Sequence, residues 1–209
     1  MSTIDSDPNN EMRWEVSPIR DQDEATPGIT PSQTVGPYVH IGLTLEGSEQ
    51  LVEPGTEGAI EVSFTVTDGG DTPISDAMIE LWQANAEGIF NSPLDPRTAE
   101  KATAEGFRGL GRGMVDETGS VTFTTIRPGA HDEEESPHLK VGVFARGMLE
   151  RLYTRLYFPD QDNSADPVLN AVPEERRGLL IAEPTERGFH LDIQVQHEDP
   201  NRETPFFGI

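Results

Sequence analysis

The sequence contains no cysteine, only three tyrosines and no long run of apolar residues. Without cysteine the chain can form no disulfide, no thiolate nucleophile and no thiolate metal site. No stretch approaches the roughly 20 apolar residues that a membrane-spanning helix needs, and the first residues lack the apolar run of a signal peptide. We therefore expect a soluble, cytoplasmic protein that does not insert into a membrane.

Positive charge is also scarce, since 38 Asp and Glu face 15 Lys and Arg, for a formal net charge of −23. A surface of this sign is repelled by the phosphates of nucleic acids and by anionic membranes, so neither is an expected partner. Screening beyond roughly 8 Å at physiological salt still permits a small anionic ligand. Such a ligand would need an arginine close to it.

The 209 residues suit one domain with extensions. Residues 1–29 are polar, contain proline and show no apolar period, which predicts a polar N-terminal arm followed by a single domain over residues 30–209. Residues 30–43 are richer in apolar side chains but are interrupted by two prolines and a glycine. That composition favours an irregular extended stretch lying on a surface.

From residue 59 onward, apolar and polar residues alternate with the period of two that is typical of half-buried strands. The alternation is clearest at 60–66 and 189–195, and turn signals rich in glycine and proline separate the runs. One short helical segment is predicted, over 167–177. Together these features predict an all-β fold, an antiparallel β-sandwich. Further strands are predicted at residues 77–84, 120–126, 139–145 and 152–158.

Two segments carry motifs. Residues 77–90, AMIELWQANAEGIF, predict a strand that leaves the sandwich through a tight turn; taken alone, they indicate a core tryptophan, Trp82, and a turn asparagine, Asn85. In residues 125–158 a strand ends in a Pro-Gly turn, an acidic loop follows, and Pro137-His138 opens a new strand.

Both segments resemble the intradiol ring-cleavage dioxygenases, through the patterns E-x-W-Q-A-x-x-x-G and TIRPG…PH-x-x…LYTRLYF. A third match, TPSQTVGPYVHIGL, is similar to the N-terminal signature of the alpha chains of the two-chain members. The resemblance covers nearly everything from Thr30 to the end, apart from the loop 91–104. It implies a β-sandwich in a higher hetero-oligomer of alpha and beta chains, with a ferric iron, Fe(III), held by the partner beta chain.

The family's iron site uses two tyrosines and two histidines, with one tyrosine just after the Pro-Gly turn and the histidines at i and i+2 on the next strand. This sequence has Ala130-His131 and then His138 and Lys140 at those places. Ferric iron favours phenolate oxygen together with imidazole, and a protonated lysine repels a cation. We therefore expect this chain to bind no iron. His138 would be a vestigial ligand position, with His131 and Lys140 replacing ligand-region residues.

The same residues permit a different metal site. His131 and His138 with one acid of the run 132–135 could form a two-histidine, one-carboxylate site for ferrous iron or zinc. Adjacent acids in a loop usually face water, so the pattern is weak. An autonomous metalloenzyme and a non-catalytic β-sandwich carrier or structural module remain as alternatives.

The resemblance also implies a reaction: cleavage of the ring of 3,4-dihydroxybenzoate by O2, between the hydroxylated carbons, to 3-carboxy-cis,cis-muconate. The active site would lie at the alpha–beta interface, with the catalytic residues on the beta chain and part of the substrate wall on this one. A glycine lets backbone approach closely, a proline fixes its path, and an arginine can hold a carboxylate. The candidate substrate-binding residues, carried over by motif, are Thr34, Gly36, Pro37, Tyr38 and Arg146.

Overall fold

The alternating residues form strands that bury one face. The structure is a computed structural model that describes residues 34, 36, 38–43, 45–99 and 106–208. Within these ranges there are eight strands, and in β1 (Ala59–Thr67) the side chains of Val62, Phe64 and Val66 are fully buried. The remaining strands are β2 (Met78–Trp82), β3 (Leu110–Met114), β4 (Ser120–Ile126), β5 (His138–Phe144), β6 (Leu152–Tyr157), β7 (Glu183–Pro184) and β8 (Gly188–Gln194).

The strands form two four-stranded sheets, in the orders β4-β1-β8-β7 and β3-β2-β5-β6. Neighbouring strands are antiparallel except for β1 and β8, which run parallel with Phe64 opposite Leu191. The core lies between the sheets, where one cluster combines Phe64 and Phe123 of the first sheet with Leu81 and Val141 of the second. The predicted β-sandwich is confirmed.

Strand β3 escaped the sequence analysis because its glycines look like turn residues. Both glycines face closely packed neighbours: Gly111 meets the segment that carries Leu51, and Gly113 meets β4 of the other sheet. A Cβ on Gly111 would lie 2.4 Å from Leu51 Cδ1, and one on Gly113 would lie 2.6 Å from Val121 Cγ2. Real Cβ atoms do not come so close to another atom, so a larger residue in either place would push the layers apart.

The helical parts differ in detail from the prediction. Part of the stretch predicted to be extended forms a short helix, α1 (Tyr38–Gly42), which Leu43 N closes by donating to Val39 O at 3.1 Å. The segment 167–177 is two helices, α2 (Pro167–Ala171) and α3 (Glu174–Arg177). Val172 between them is extended because the following proline disfavours a helical conformation there.

The described residues belong to one unit, Gln33–Ile209. The predicted arm at 1–29 and the candidate Pro37 lie outside the described residues. No helix in the described ranges has both the length and the apolar character needed to cross a bilayer.

The outer face of the second sheet carries polar and aromatic side chains in place of a packed apolar layer. Trp82 lies opposite Lys140 in the β2–β5 register, and Lys140 lies opposite Arg155 in the β5–β6 register, so the three side chains lie side by side across the sheet. The prediction of a core tryptophan is wrong. Trp82 has the parity opposite to the core residues Ile79 and Leu81, and it is only half-buried on this outer face.

Candidate functional site

The two motif segments, distant in sequence, meet where β2 and β4 end. Gln83 is fully buried: its Oε1 accepts a hydrogen bond from Thr125 Oγ1 at 2.6 Å, and its Nε2 donates to Ile126 O at 2.9 Å. Asn85 Oδ1 accepts from Ile89 N at 2.9 Å, which confirms the predicted turn asparagine. The buried Gln83 amide thus joins the end of β2 in one sheet to the end of β4 in the other, while Asn85 holds the turn after β2.

Two glycines allow the turns after β2 and β4 to touch. Gly88 has a φ of +77°, and a Cβ there would lie 1.8 Å from Ala130 O. In the opposite turn, a Cβ on Gly129 would lie 2.4 Å from Ala86 O. Backbone therefore packs directly on backbone at this point, and larger residues are sterically excluded.

A cavity of about 660 Å³ opens beside these turns, on the outer face of the second sheet. The rings of Trp82 and Phe90 stack with their centroids 5.4 Å apart and their planes 6° from parallel. The ring of His131 lies 4.7 Å from the Phe90 centroid, edge toward face, and Lys140 Nζ lies 4.8 Å from the same centroid. Leu94, 90% exposed, also lines the cavity. The site combines aromatic surface with a positive charge.

Arg97 supports one wall of the cavity but its own charge is neutralised. Its Nη2 lies 2.9 Å from Asp95 Oδ2, and this guanidinium holds the pKa of the Asp95 carboxyl well below its usual range. Arg97 Nη1 donates to His131 O at 2.8 Å, and Nη2 lies 2.6 Å from His131 Nδ1. Because Arg97 only donates and lies closer to Nδ1 than Gly88 O does, at 2.6 Å against 3.4 Å, Nδ1 accepts and the ring N–H is on Nε2.

His138 is buried at the start of β5, two residues before Lys140. Its Nδ1 lies 2.8 Å from Ser136 O, to which it donates, while Nε2 lies 3.7 Å from Glu135 Oε2 and has no hydrogen-bond partner among the described residues. Burial, and secondly the guanidinium of Arg155, lower the pKa of His138 to about 4. The imidazole is therefore uncharged at neutral pH.

A buried polar chain continues from Arg155. Its Nη1 lies 2.9 Å from Glu135 Oε2 and donates to Tyr157 OH at 3.3 Å. Tyr157 OH in turn donates to Asp166 Oδ1 at 3.0 Å, and Asp166 caps α2 by accepting from Leu169 N at 2.8 Å. Burial raises the pKa of the Tyr157 phenol well above its usual range, so it stays protonated.

These residues do not fit ferric iron. Such an ion favours phenolate, and Tyr157 is a protonated phenol already bound to Asp166. Arg155 and Lys140 both act to lower the pKa of His138, and the opposing effect of Glu135 is smaller than that of Arg155, so the charged neighbours of the imidazole together disfavour a cation. The two-histidine, one-carboxylate alternative is not assembled either, because no group of three His, Asp or Glu able to hold a metal occurs in the part of the chain that the structure describes.

Of the predicted substrate-binding residues, Thr34, Gly36 and Arg146 are not among the described residues that line this cavity. Arg146 follows β5, its side chain is 87% exposed, and its Nε lies 3.2 Å from Asp76 Oδ2. Thr34 and Gly36 are exposed, and Tyr38 is the first residue of α1.

Sequence reasoning missed three residues of the site. Phe90 stands two residues after the E-x-W-Q-A-x-x-x-G motif, and its position there was the available signal. Arg97 lies in a loop without a counterpart in the family pattern, and Arg155 was one more arginine on a strand. Only the folded chain brings them to the cavity or to His138.

Comparison with known proteins identifies relatives of this chain. A family model described as "Dioxygenase" matches residues 42–192. The protocatechuate 3,4-dioxygenase alpha chain of Burkholderia cepacia is 34% identical over 197 residues, which cover 86% of this chain and 97% of that one. The beta chain of the same organism is 33% identical over 162 residues, covering 67% and 65%. An intradiol ring-cleavage dioxygenase from Tetranychus urticae has a similar fold, with a TM-score of 0.56 at 17% identity over 73% of this chain and 89% of its own.

Proposed function

Since this chain belongs to the intradiol ring-cleavage dioxygenase family, we propose that it is the alpha chain of a protocatechuate 3,4-dioxygenase and acts with a beta chain. The extent of the match carries the proposal: the alpha relative is matched over 97% of its length and the beta relative from the same organism over 65%. The substrate is then 3,4-dihydroxybenzoate, and dioxygen cleaves its ring between the hydroxylated carbons.

The ferric iron belongs to the beta chain in this proposal. The support is the donor set at the corresponding place in this chain, where Lys140 follows His138 by two residues and Arg155 lies across the strand pair from Lys140. When bound in the partner, the iron supplies the activation of the catechol toward dioxygen. This chain contributes binding surface, and its own residues hold no reacting atom.

Arg146 is the residue that we expect to bind the substrate carboxylate. Its guanidinium projects from the loop after β5, 87% exposed, and its ion pair with Asp76 at 3.2 Å is a weak surface contact that a ligand can replace. Arginine binds a carboxylate through two parallel, charge-assisted hydrogen bonds. The segment with Thr34, Gly36, Pro37 and Tyr38 would complete this wall of the substrate site.

The test is to co-express the chain with a candidate beta chain and measure iron content, oxygen uptake and kcat/KM for 3,4-dihydroxybenzoate. We expect an iron-containing, active assembly, and no oxygen uptake by this chain alone. Replacing Arg146 with Ala should lower kcat/KM at least about tenfold, the value of one charge-assisted hydrogen bond, and leave the iron content unchanged.

Arg187→Ala is the matched control, because Arg187 is also an exposed arginine paired with an acid, Glu61 at 2.9 Å. It should leave kcat/KM unchanged. Catechol, which lacks the carboxylate, should be cleaved equally well with and without Arg146. An equal loss for both substrates would remove Arg146 from the carboxylate site, and oxygen uptake by the isolated chain with 3,4-dihydroxybenzoate would overturn the two-chain proposal.

A further inference from the structure

Lys140 presents a half-buried ammonium group to the cavity. Burial, and secondly Arg155, lower the pKa of this group, while Glu135 and Asp132 act in the opposite direction. It makes no ion pair or hydrogen bond to any described residue, and its Nζ lies 4.8 Å from the centroid of the Phe90 ring. The acids nearby are already engaged: Glu135 pairs with Arg155 at 2.9 Å, and Asp132 Oδ1 accepts from the N–H groups of Glu134 and Glu135. A half-buried cation with free donors favours an anionic ligand.

A second free donor lies on the same ring. The Nδ1 of His131 is occupied by Arg97, at 2.6 Å, so its Nε2–H is available and makes no hydrogen bond to a described residue. The imidazole centroid lies 4.7 Å from the Phe90 centroid, against 4.8 Å for the Lys140 ammonium. The Lys140 ammonium and the His131 imidazole therefore both lie beside the Phe90 ring.

The rest of the lining is suited to an aromatic body. Trp82 and Phe90 present a parallel pair of rings, and Leu94 adds aliphatic surface. A volume of about 660 Å³ lies in the range of small-molecule sites, roughly 300–1,000 Å³. With Arg97 neutralised by Asp95, Lys140 is the remaining unpaired charge of the described lining. A single negative charge matches it, whereas a second would meet the acidic loop 132–135.

We propose that this cavity is a binding site for a small aromatic monocarboxylate. The carboxylate contacts Lys140 Nζ and His131 Nε2–H, and the ring of the ligand lies against Trp82 and Phe90. The site belongs to this chain, and the proposal extends beyond the function proposed above, since binding here does not require iron.

The test uses the full chain carrying Trp14→Phe, which leaves Trp82 as its one remaining tryptophan. Sodium benzoate is titrated at constant ionic strength, with tryptophan fluorescence and calorimetry as readouts. We expect saturable binding that changes the fluorescence of Trp82. Lys140→Gln should weaken benzoate binding about tenfold or more, and Lys140→Arg should retain most of it.

Arg202→Gln is the matched control, because it removes one positive charge from an exposed pair with Asp71 and should leave binding unchanged. Benzamide, with the ring but no charge, and cyclohexanecarboxylate, with the charge but no aromatic ring, should both bind more weakly than benzoate. Equal binding of benzamide, or of benzoate to the Lys140→Gln variant, would overturn the carboxylate contact. Equal binding of cyclohexanecarboxylate or chloride would overturn the aromatic one.

Circular dichroism establishes that each variant is folded. If the isolated chain aggregates, the same titration is carried out on the alpha–beta assembly, comparing Lys140→Gln with Arg202→Gln. Both variants lose one positive charge, so weaker benzoate binding in the first alone supports the cavity, and identical binding in both refutes it.

Discussion

His138 should make this protein lose stability as the pH falls from about 6.5 to about 4. The ring is 6% exposed, and burial and Arg155 lower its pKa from an ordinary 6.5 to about 4 in the folded chain. Above pH 6.5 the imidazole is neutral in both folded and unfolded chains and contributes no pH dependence. Below it, the unfolded chain takes up a proton that the folded chain does not, so acid favours unfolding.

The magnitude follows from the pKa difference. A shift of one pKa unit corresponds to about 1.4 kcal/mol, so moving from 6.5 to about 4 corresponds to about 3 kcal/mol, fully expressed near pH 4. This is a large part of the ~5–15 kcal/mol that holds a typical domain folded.

The perturbation that isolates this effect is His138→Asn. The Asn amide can still donate to Ser136 O, but it does not titrate. Losing the imidazole also removes its contact with the Tyr157 ring, 5.7 Å between centroids, which lowers stability equally at every pH. Carboxylates that do not contact His138 contribute equally in both proteins and cancel in the comparison.

The assay is urea unfolding of both proteins, followed by circular dichroism between pH 4 and 8. We expect the stability advantage of wild type over His138→Asn to be greatest near neutral pH and to shrink by about 3 kcal/mol at pH 4. A stability difference that stays constant across this range would refute the assignment of a buried, neutral His138.

Two further predictions concern the contact between the motif turns and can be checked by urea unfolding. Gly88→Ala should lower the free energy of unfolding by about 3 kcal/mol or more, because it combines a positive φ with a Cβ 1.8 Å from Ala130 O. Gly147→Ala, also at positive φ (+89°) but with nothing within 4 Å, should lower it by only about 1–2 kcal/mol. Equal losses in the two variants would contradict the steric argument. Gln83→Leu should cost about 2–4 kcal/mol because it leaves the Thr125 hydroxyl unpaired, and adding Thr125→Val should recover part of that loss. Strict additivity of these two substitutions would mean that their hydrogen bond is not important.

Much of the fold could be predicted because strand periodicity is a local property. Side chains alternate between the faces of a strand, so the apolar sets of β1 and β8 identified the core directly. Strand β3 and helix α1 were missed because glycine and proline indicate turns when the packing that recruits them is unknown. The parallel β1–β8 pair depends on residues more than 120 positions apart, and no local pattern encodes such a pairing.

The roles of the arginines could be predicted from the sequence even less well than the strand pairing. On the sequence alone, Arg97, Arg146 and Arg155 differ only in their neighbours. In the folded chain the first is neutralised by Asp95 and holds His131, the second projects into solvent, and the third lies buried against Glu135 and Tyr157. Burial and partners decide what a cation can do, and both arise from strand pairing.

The sequence by itself determined which chemistry is present at the motif positions: it has Lys140 and His131 where the family resemblance implies iron ligands, and this follows from residue identity within a local pattern. Only the tertiary structure decided what surrounds those residues. Strand register brings Trp82 beside Lys140, and two glycines let the motif turns touch, so that Phe90, Arg97 and His131 share one cavity. The identity of each residue is given by the sequence alone. The unpaired donors of Lys140 and His131, and the positive surroundings of His138, arise only once distant strands have paired.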